Sequence, residues 1–81
     1  MNIFVANLNF RVKTDQLQEL FEQYGEVESV KIITDRDSGR SKGFGFIEMA
    51  DETAARNAIS SLDNQELEGR NIVVKEARPR E

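Results

Sequence analysis

The chain has 81 residues, 38% hydrophobic and 32% charged, with no cysteine and no histidine. That length supports one modest core, and residues 1–81 are read as a single domain of a globular rather than a disordered chain. Without Cys or His there are no disulfides, no thiolate or imidazole metal sites, no cysteine nucleophile and no histidine base, so no cofactor is expected and packing alone must hold the fold.

No stretch of about 18 apolar residues occurs, so no membrane partner is expected. No basic, apolar, cleavable leader follows Met1, and the expected compartment is the cytoplasm. The formal net charge of −4 argues at first against a nucleic-acid partner. The charge is unevenly spread, however. Residues 14–26 carry Asp15, Glu19, Glu22 and Glu26 and no base, and residues 51–68 carry five acids against Arg56 alone. The remaining segments together are net positive.

Ile3 to Leu8 is an apolar run ending in Asn7-Leu8-Asn9, which predicts a first strand. Thr14 is a candidate N-cap with Asp15 in the first turn. Leu17, Leu20, Phe21 and Tyr24 follow at helical spacing, and Gly25 is expected to close this helix in the left-handed conformation. Val27 to Thr34 is β-branched and alternating, a second strand. Asp35 to Ser41 is polar and contains Gly39, a loop. Phe44 to Met49 predicts a third strand. Asp51 caps a second helix whose Ala55, Ala58, Ile59 and Leu62 share a face, and Asp63-Asn64 ends it. Ile72 to Lys75 is the fourth strand, introduced by Gly69, and Pro79 stops further pairing.

The order strand–helix–strand–strand–helix–strand predicts an α+β, ferredoxin-like βαββαβ sandwich. Right-handed crossovers place both helices on one face of a four-stranded antiparallel sheet and leave the other face open. Alternation then sorts the side chains. In the third strand Gly45, Ile47 and Met49 oppose Phe44, Phe46 and Glu48, and an unpartnered Glu48 belongs in solvent. Ile3 and Val5 oppose Phe4 and Ala6. Val30 and Ile32 oppose Lys31 and Ile33. Ile72 and Val74 oppose Val73 and Lys75. Each strand can give two aliphatics to the helices, which leaves Phe4, Phe44 and Phe46 together on the open face beside Lys31, Lys42 and Lys75. The inverted register would bury Glu48, Lys31 and Lys75 together, which desolvation opposes.

Lys42–Met49, KGFGFIEM, fits the octamer K/R-G-F/Y-G/A-F-V-x-F/Y of the RNA recognition motif. Ile3–Leu8, IFVANL, resembles that family's hexamer on the first strand, and the two lie about 40 residues apart on the predicted central strands. The chain as a whole resembles the small single-domain RNA-binding proteins of bacteria and the similar domain of plant glycine-rich RNA-binding proteins. The resemblance implies a non-enzymatic protein that binds single-stranded RNA, with single-stranded DNA left open and a monomer expected. It implies that Phe4 stacks a base, that one of Phe44 and Phe46 stacks a base while the other packs on sugars, and that Lys42 meets a phosphate. Lys31, Lys75, Arg40, Ala77 and Arg78 match positions expected to touch bases or backbone. Two departures stand out. Met49 replaces the octamer's last aromatic on the buried side, and Asp63-Asn64 replaces an Asn-Gly that often ends the second helix. Asn tolerates the left-handed conformation, so the turn is expected to survive.

The alternative is a peptide-binding interaction module of the same fold. Such domains use an acidic first helix and an Arg-x-Phe loop before the last strand. Glu19 and Glu22 are present here, but the loop reads Arg70-Asn71-Ile72 and lacks the Phe. For catalysis, KGFGF lacks the last glycine and the strand-to-helix context of a dinucleotide loop. Arg11 and Asn57 could be nominated by analogy with acylphosphatases, with no motif around them.

Overall fold

The computed structural model of the chain describes residues 1–39 and 41–77, leaving aside the side chains of Ser41 and Lys42. The elements are β1 (Asn2–Ala6), α1 (Thr14–Glu22), β2 (Val27–Thr34), β3 (Ser41–Met49), α2 (Glu52–Leu62), β4 (Glu66–Leu67), β5 (Arg70–Asn71) and β6 (Val73–Ala77). β2, β3, β1 and β6 form one antiparallel sheet in that spatial order, with β1 and β3 central. This is the expected sandwich with one addition, a two-stranded hairpin of β4 and β5 between α2 and the last strand.

The core lies between the sheet and the helices. Ile3, Val5, Ile47, Met49 and Val74 come from the strands, Ile72 from the residue that joins β5 to β6, and Leu17, Phe21, Ala55, Ala58 and Leu62 from the helices, all buried. Every strand thus buries the set that alternation assigned to it, with Val30 and Ile32 of the edge strand β2 partly covered. Burying a large aliphatic or aromatic side chain contributes about 1.5–3 kcal/mol, and an 81-residue chain has few of them.

Several ends differ from expectation. β1 stops at Ala6 because Asn7 turns left-handed, at φ 58°. That turn aims the Leu8 N–H at the Gly43 carbonyl, 2.8 Å away, and buries the Leu8 side chain. Thr14 is the first residue of α1 rather than its cap. Lys13 holds the extended cap position, and its N–H donates to Gln16 Oε1 at 3.2 Å. Gly25 does not adopt the left-handed conformation; α1 ends instead in a tightened turn, with the Tyr24 N–H on the Phe21 carbonyl at 3.0 Å. Glycine is needed at 25 for space, since a Cβ there would sit 2.6 Å from the Ala54 Cβ of α2.

α2 begins as expected. Asp51 accepts the Ala54 N–H at 3.1 Å, which satisfies one of the unpaired donors of the first turn. At its far end Asn64 takes the left-handed position, at φ 67°. The segment after α2 then runs beside the last strands. Asp63 Oδ1 accepts the Val74 N–H at 2.9 Å, the Asn64 N–H donates to the Ile72 carbonyl, and the Ile72 N–H donates to the Gln65 carbonyl. These bonds cover part of an edge that would otherwise be free to pair with another chain.

Candidate nucleic-acid interface

Register assembles the site. Lys31 pairs with Phe46, Phe46 with Phe4, and Phe4 with Lys75. One row of side chains therefore crosses all four strands on the face away from the helices. Phe44 stands two residues along β3 from Phe46, on the same face. The three rings form a cluster. Phe4 lies 5.5 Å from Phe46 at 50° and 6.0 Å from Phe44 at 43°, while Phe44 and Phe46 meet edge-on at 6.4 Å and 88°. These are favourable tilted geometries. Each ring shields its neighbours, so Phe46 is 38% exposed while Phe4 and Phe44 are only partly so.

Backbone close contacts shape this face. A Cβ at Gly45 would collide with the Lys31 carbonyl oxygen and lie 3.1 Å from the Ile32 Cα. Glycine at 45 therefore lets β2 approach β3 between the two phenylalanine positions, beside a register shift after Ile32. Gly43 sits at φ 86°, a conformation that costs other residues about 1–2 kcal/mol. Its carbonyl receives Leu8, which ties the start of the octamer to the end of β1.

The charges are less uniform than the sequence suggested. Lys31 is exposed, and among the described residues it has no ion-pair partner. Lys75 is not free: its Nζ donates to Asp63 Oδ2 at 2.8 Å. The Lys75 ammonium first, and the Val74 N–H second, hold the Asp63 carboxyl below its ordinary value of 3.8. Glu48 also lies on the open face, in the row next to Phe46, opposite Asn2 and beside Ser29, whose hydroxyl reaches Glu48 Oε2 at 3.4 Å. Ala77 ends β6 opposite Asn2 at that same end. Arg40 and Arg78 lie outside the described residues, as does the Lys42 side chain.

The structure also brings Arg70 to the site, a residue that the sequence places only in the loop before the last strand. At the end of the open face where β1 runs out, a shallow depression of about 270 Å³ is lined by Phe4, Phe44, Asn7, Gly43 and Arg70, among others. Phe10 is the most exposed large apolar side chain among those described, at 65%, and the Arg11 guanidinium carbon is 5.8 Å from its ring centroid. A second depression, about 230 Å³, lies on α1 among Asp15, Gln18, Glu19 and Glu22.

Two helices behind a sheet, with a phenylalanine cluster on the bare face of its central strands, define a class of nucleic-acid-binding domain. Residues 3–73 match the model of the RNA recognition motif. The chain is 47% identical over 81 residues to the putative RNA-binding protein RbpE of Nostoc sp. (strain PCC 7120), across all of this chain and 82% of that protein. It is 46% identical over 77 residues to a glycine-rich RNA-binding protein of Daucus carota, across 95% of this chain and 49% of that one. The crystal structure of the RNA binding protein PG1 superposes with a TM-score of 0.95 at 56% identity, covering 100% of this chain and 98% of that one. The chain belongs to the RNA recognition motif family. It spans about half the length of the plant glycine-rich proteins it matches.

Proposed function

We propose that this chain binds single-stranded RNA across the open sheet face. Bases stack on Phe4, Phe44 and Phe46, and lysine and arginine side chains meet the phosphates. The observation that carries this reading is the clustering of three rings on the sheet face that neither helix covers. Aromatic side chains otherwise contribute most by burial, and here the burial is left incomplete. Single-stranded bases offer π-faces, and a ring on a paired strand is already ordered, so stacking costs little conformational entropy. The names of its relatives as RNA-binding proteins support the same reading.

Each base–ring stack contributes about 1–3 kcal/mol. Lys31 at one end of the row supplies phosphate attraction, and Lys42 at the start of the octamer is assigned the same task. Lys75 at the other end must exchange Asp63 for phosphate, so its contribution is reduced by the bond it gives up. The acids on the outer helix faces lower long-range attraction, which fits a module of modest affinity acting as a monomer.

A chemical-shift titration with a pool of short randomised single strands, RNA and DNA, tests the proposal. The expected shifts concentrate on β1 and β3 at Phe4, Phe44 and Phe46, larger with RNA. Shifts confined to the acidic face of α1, or none at saturating RNA, would reject it. Equal shifts with DNA would broaden the ligand to single-stranded nucleic acid.

A further inference from the structure

We propose that Arg70 anchors a phosphate of the bound strand at the end of the open face where β1 stops. This inference rests on the RNA-binding reading above and adds to it a contact outside the phenylalanine row. Four observations carry it.

Arg70 lies at the right place. It shares the depression of about 270 Å³ with Phe4 and Phe44, so a nucleotide stacked on those rings has its backbone within the reach of the guanidinium.

Arg70 is held there rather than waving in solvent. It starts β5 in the β4–β5 hairpin, whose turn residues Glu68 and Gly69 both have positive φ, 51° and 79°. That is the twisted two-residue turn that suits a hairpin. The hairpin is strapped to the end of β1 from two sides. Asn7 Nδ2 donates to the Asn71 carbonyl at 2.7 Å, and Asn9 Nδ2 donates to the Glu68 carbonyl at 3.0 Å. Arg70 Nη2 then donates to Asn7 Oδ1 at 3.0 Å.

Among the described residues the positive charge of Arg70 has no ion-pair partner. The group that fixes it is a neutral amide oxygen, which orients the guanidinium without neutralising it. Among the described residues Arg56 is paired to Glu52 and Lys75 to Asp63, but no carboxylate lies within ion-pair distance of Arg70. The hairpin has two acids: Glu66 stands opposite Asn71 rather than Arg70, and Glu68 is engaged by Gln16 Nε2 at 3.1 Å.

The remaining donors have the right shape. A guanidinium carries five N–H donors in a planar fork, and one is spent on Asn7. The others can grip a tetrahedral anion with two parallel bonds, as arginine does with phosphates.

The test compares wild type, Arg70→Ala and Arg70→Lys, each titrated with short single-stranded RNAs of several compositions over a range of salt. Unfolding midpoints are measured in parallel, so that affinity is expressed per folded molecule. Arg70→Ala is expected to weaken binding about five- to tenfold at ~0.1 M salt, by a similar factor for every sequence. The slope of log affinity against log salt should shrink by about 0.7, the value for one phosphate contact on a single strand. Arg70→Lys should keep the slope while recovering only part of the affinity, because it restores the charge and not the fork.

If Arg70→Ala lowers stability but leaves the salt slope unchanged, Arg70 is a hairpin strut and the proposal fails. If the loss is confined to strands containing one base and the slope is unchanged, Arg70 reads a base edge, and the phosphate assignment is overturned. Either result leaves RNA binding itself intact in the wild type. Wild type that binds no RNA at any salt would overturn both readings.

Discussion

Phe4 and Phe46 stand directly opposite one another on adjacent antiparallel strands, with ring centroids 5.5 Å apart. Their row continues to Lys31 on one side and Lys75 on the other. A cation, two rings and a cation thus cross the sheet in a line fixed by backbone pairing. The face is built before any ligand arrives, which lowers the ordering cost of binding. Its two ends differ: Arg70 and the depression beside Phe44 mark one, Glu48 the other.

Asp63→Asn should reveal the competition at Lys75. The substitution removes the charge but keeps the oxygen that accepts the Val74 N–H. Freed from its partner, Lys75 can meet phosphate, and affinity for single-stranded RNA should rise by up to about fivefold, the worth of roughly one contact. Unchanged affinity in a titration at fixed low salt would place Lys75 off the RNA path.

The same residue predicts a pH effect on folding. Its carboxyl titrates below its ordinary value of 3.8 in the folded chain, chiefly through the Lys75 bond and then the Val74 N–H. A lowered folded value means the unfolded chain binds the proton more readily, so the stabilisation is fully present above the unfolded value and is lost as pH falls through the folded one. Thermal unfolding should therefore show wild type above Asp63→Asn at neutral pH, with the gap closing below about pH 4. A gap that persists unchanged in acid would mean the ion pair contributes nothing to stability.

Glu48→Gln should strengthen RNA binding. The side chain faces solvent in the row beside Phe46, where a carboxylate repels a passing backbone. The gain should be about 0.2–1 kcal/mol at low salt and should fade as salt rises, as for exposed charge pairs generally. Titrations at ~50 mM and ~300 mM salt decide it, and no gain at the lower salt would show that the strand does not pass that end of the sheet.

Gly45→Ala should destabilise the fold by about 3 kcal/mol or more, at the upper end of overpacking effects. The new methyl would strike the Lys31 carbonyl, which is backbone and cannot rotate aside. Denaturant unfolding is the check. Near-wild-type stability would mean that β2 can shift away from β3 without loss.

Most of the fold was legible because each strand alternates cleanly and one charged residue, Glu48, decides which side is wet. The rings followed from that choice. What escaped the sequence depends on contacts between distant segments. Gly25 looked like a helix terminator, yet its reason is Ala54 of the other helix. Thr14 has the chemistry of a cap, but Gln16 closes the turn onto Lys13 instead. The β4–β5 hairpin was hidden because its strands have two residues each and its turn is Glu68-Gly69 rather than the Asn-Gly or Asp-Gly that signals such turns. Alternation places Lys75 beside the rings, but nothing local shows that the end of α2 lies along β6 and brings Asp63 to it. Arg70 carries no local signal because its support, Asn7, is 63 residues away along the chain.

Binding and folding are divided along β3, where neighbours Phe46 and Ile47 point to opposite faces and are 38% and 1% exposed. Denaturant unfolding of Phe46→Ala and Ile47→Ala, beside RNA titration at fixed salt, tests it most directly. Phe46→Ala should lose about 1–3 kcal/mol of binding to single-stranded RNA with little loss of stability. Ile47→Ala should lose about 2–5 kcal/mol of stability and keep its affinity per folded molecule. If Phe46→Ala instead unfolds as readily as Ile47→Ala while each folded molecule binds RNA as tightly as wild type, Phe46 is a core residue and the open face is not where RNA binds.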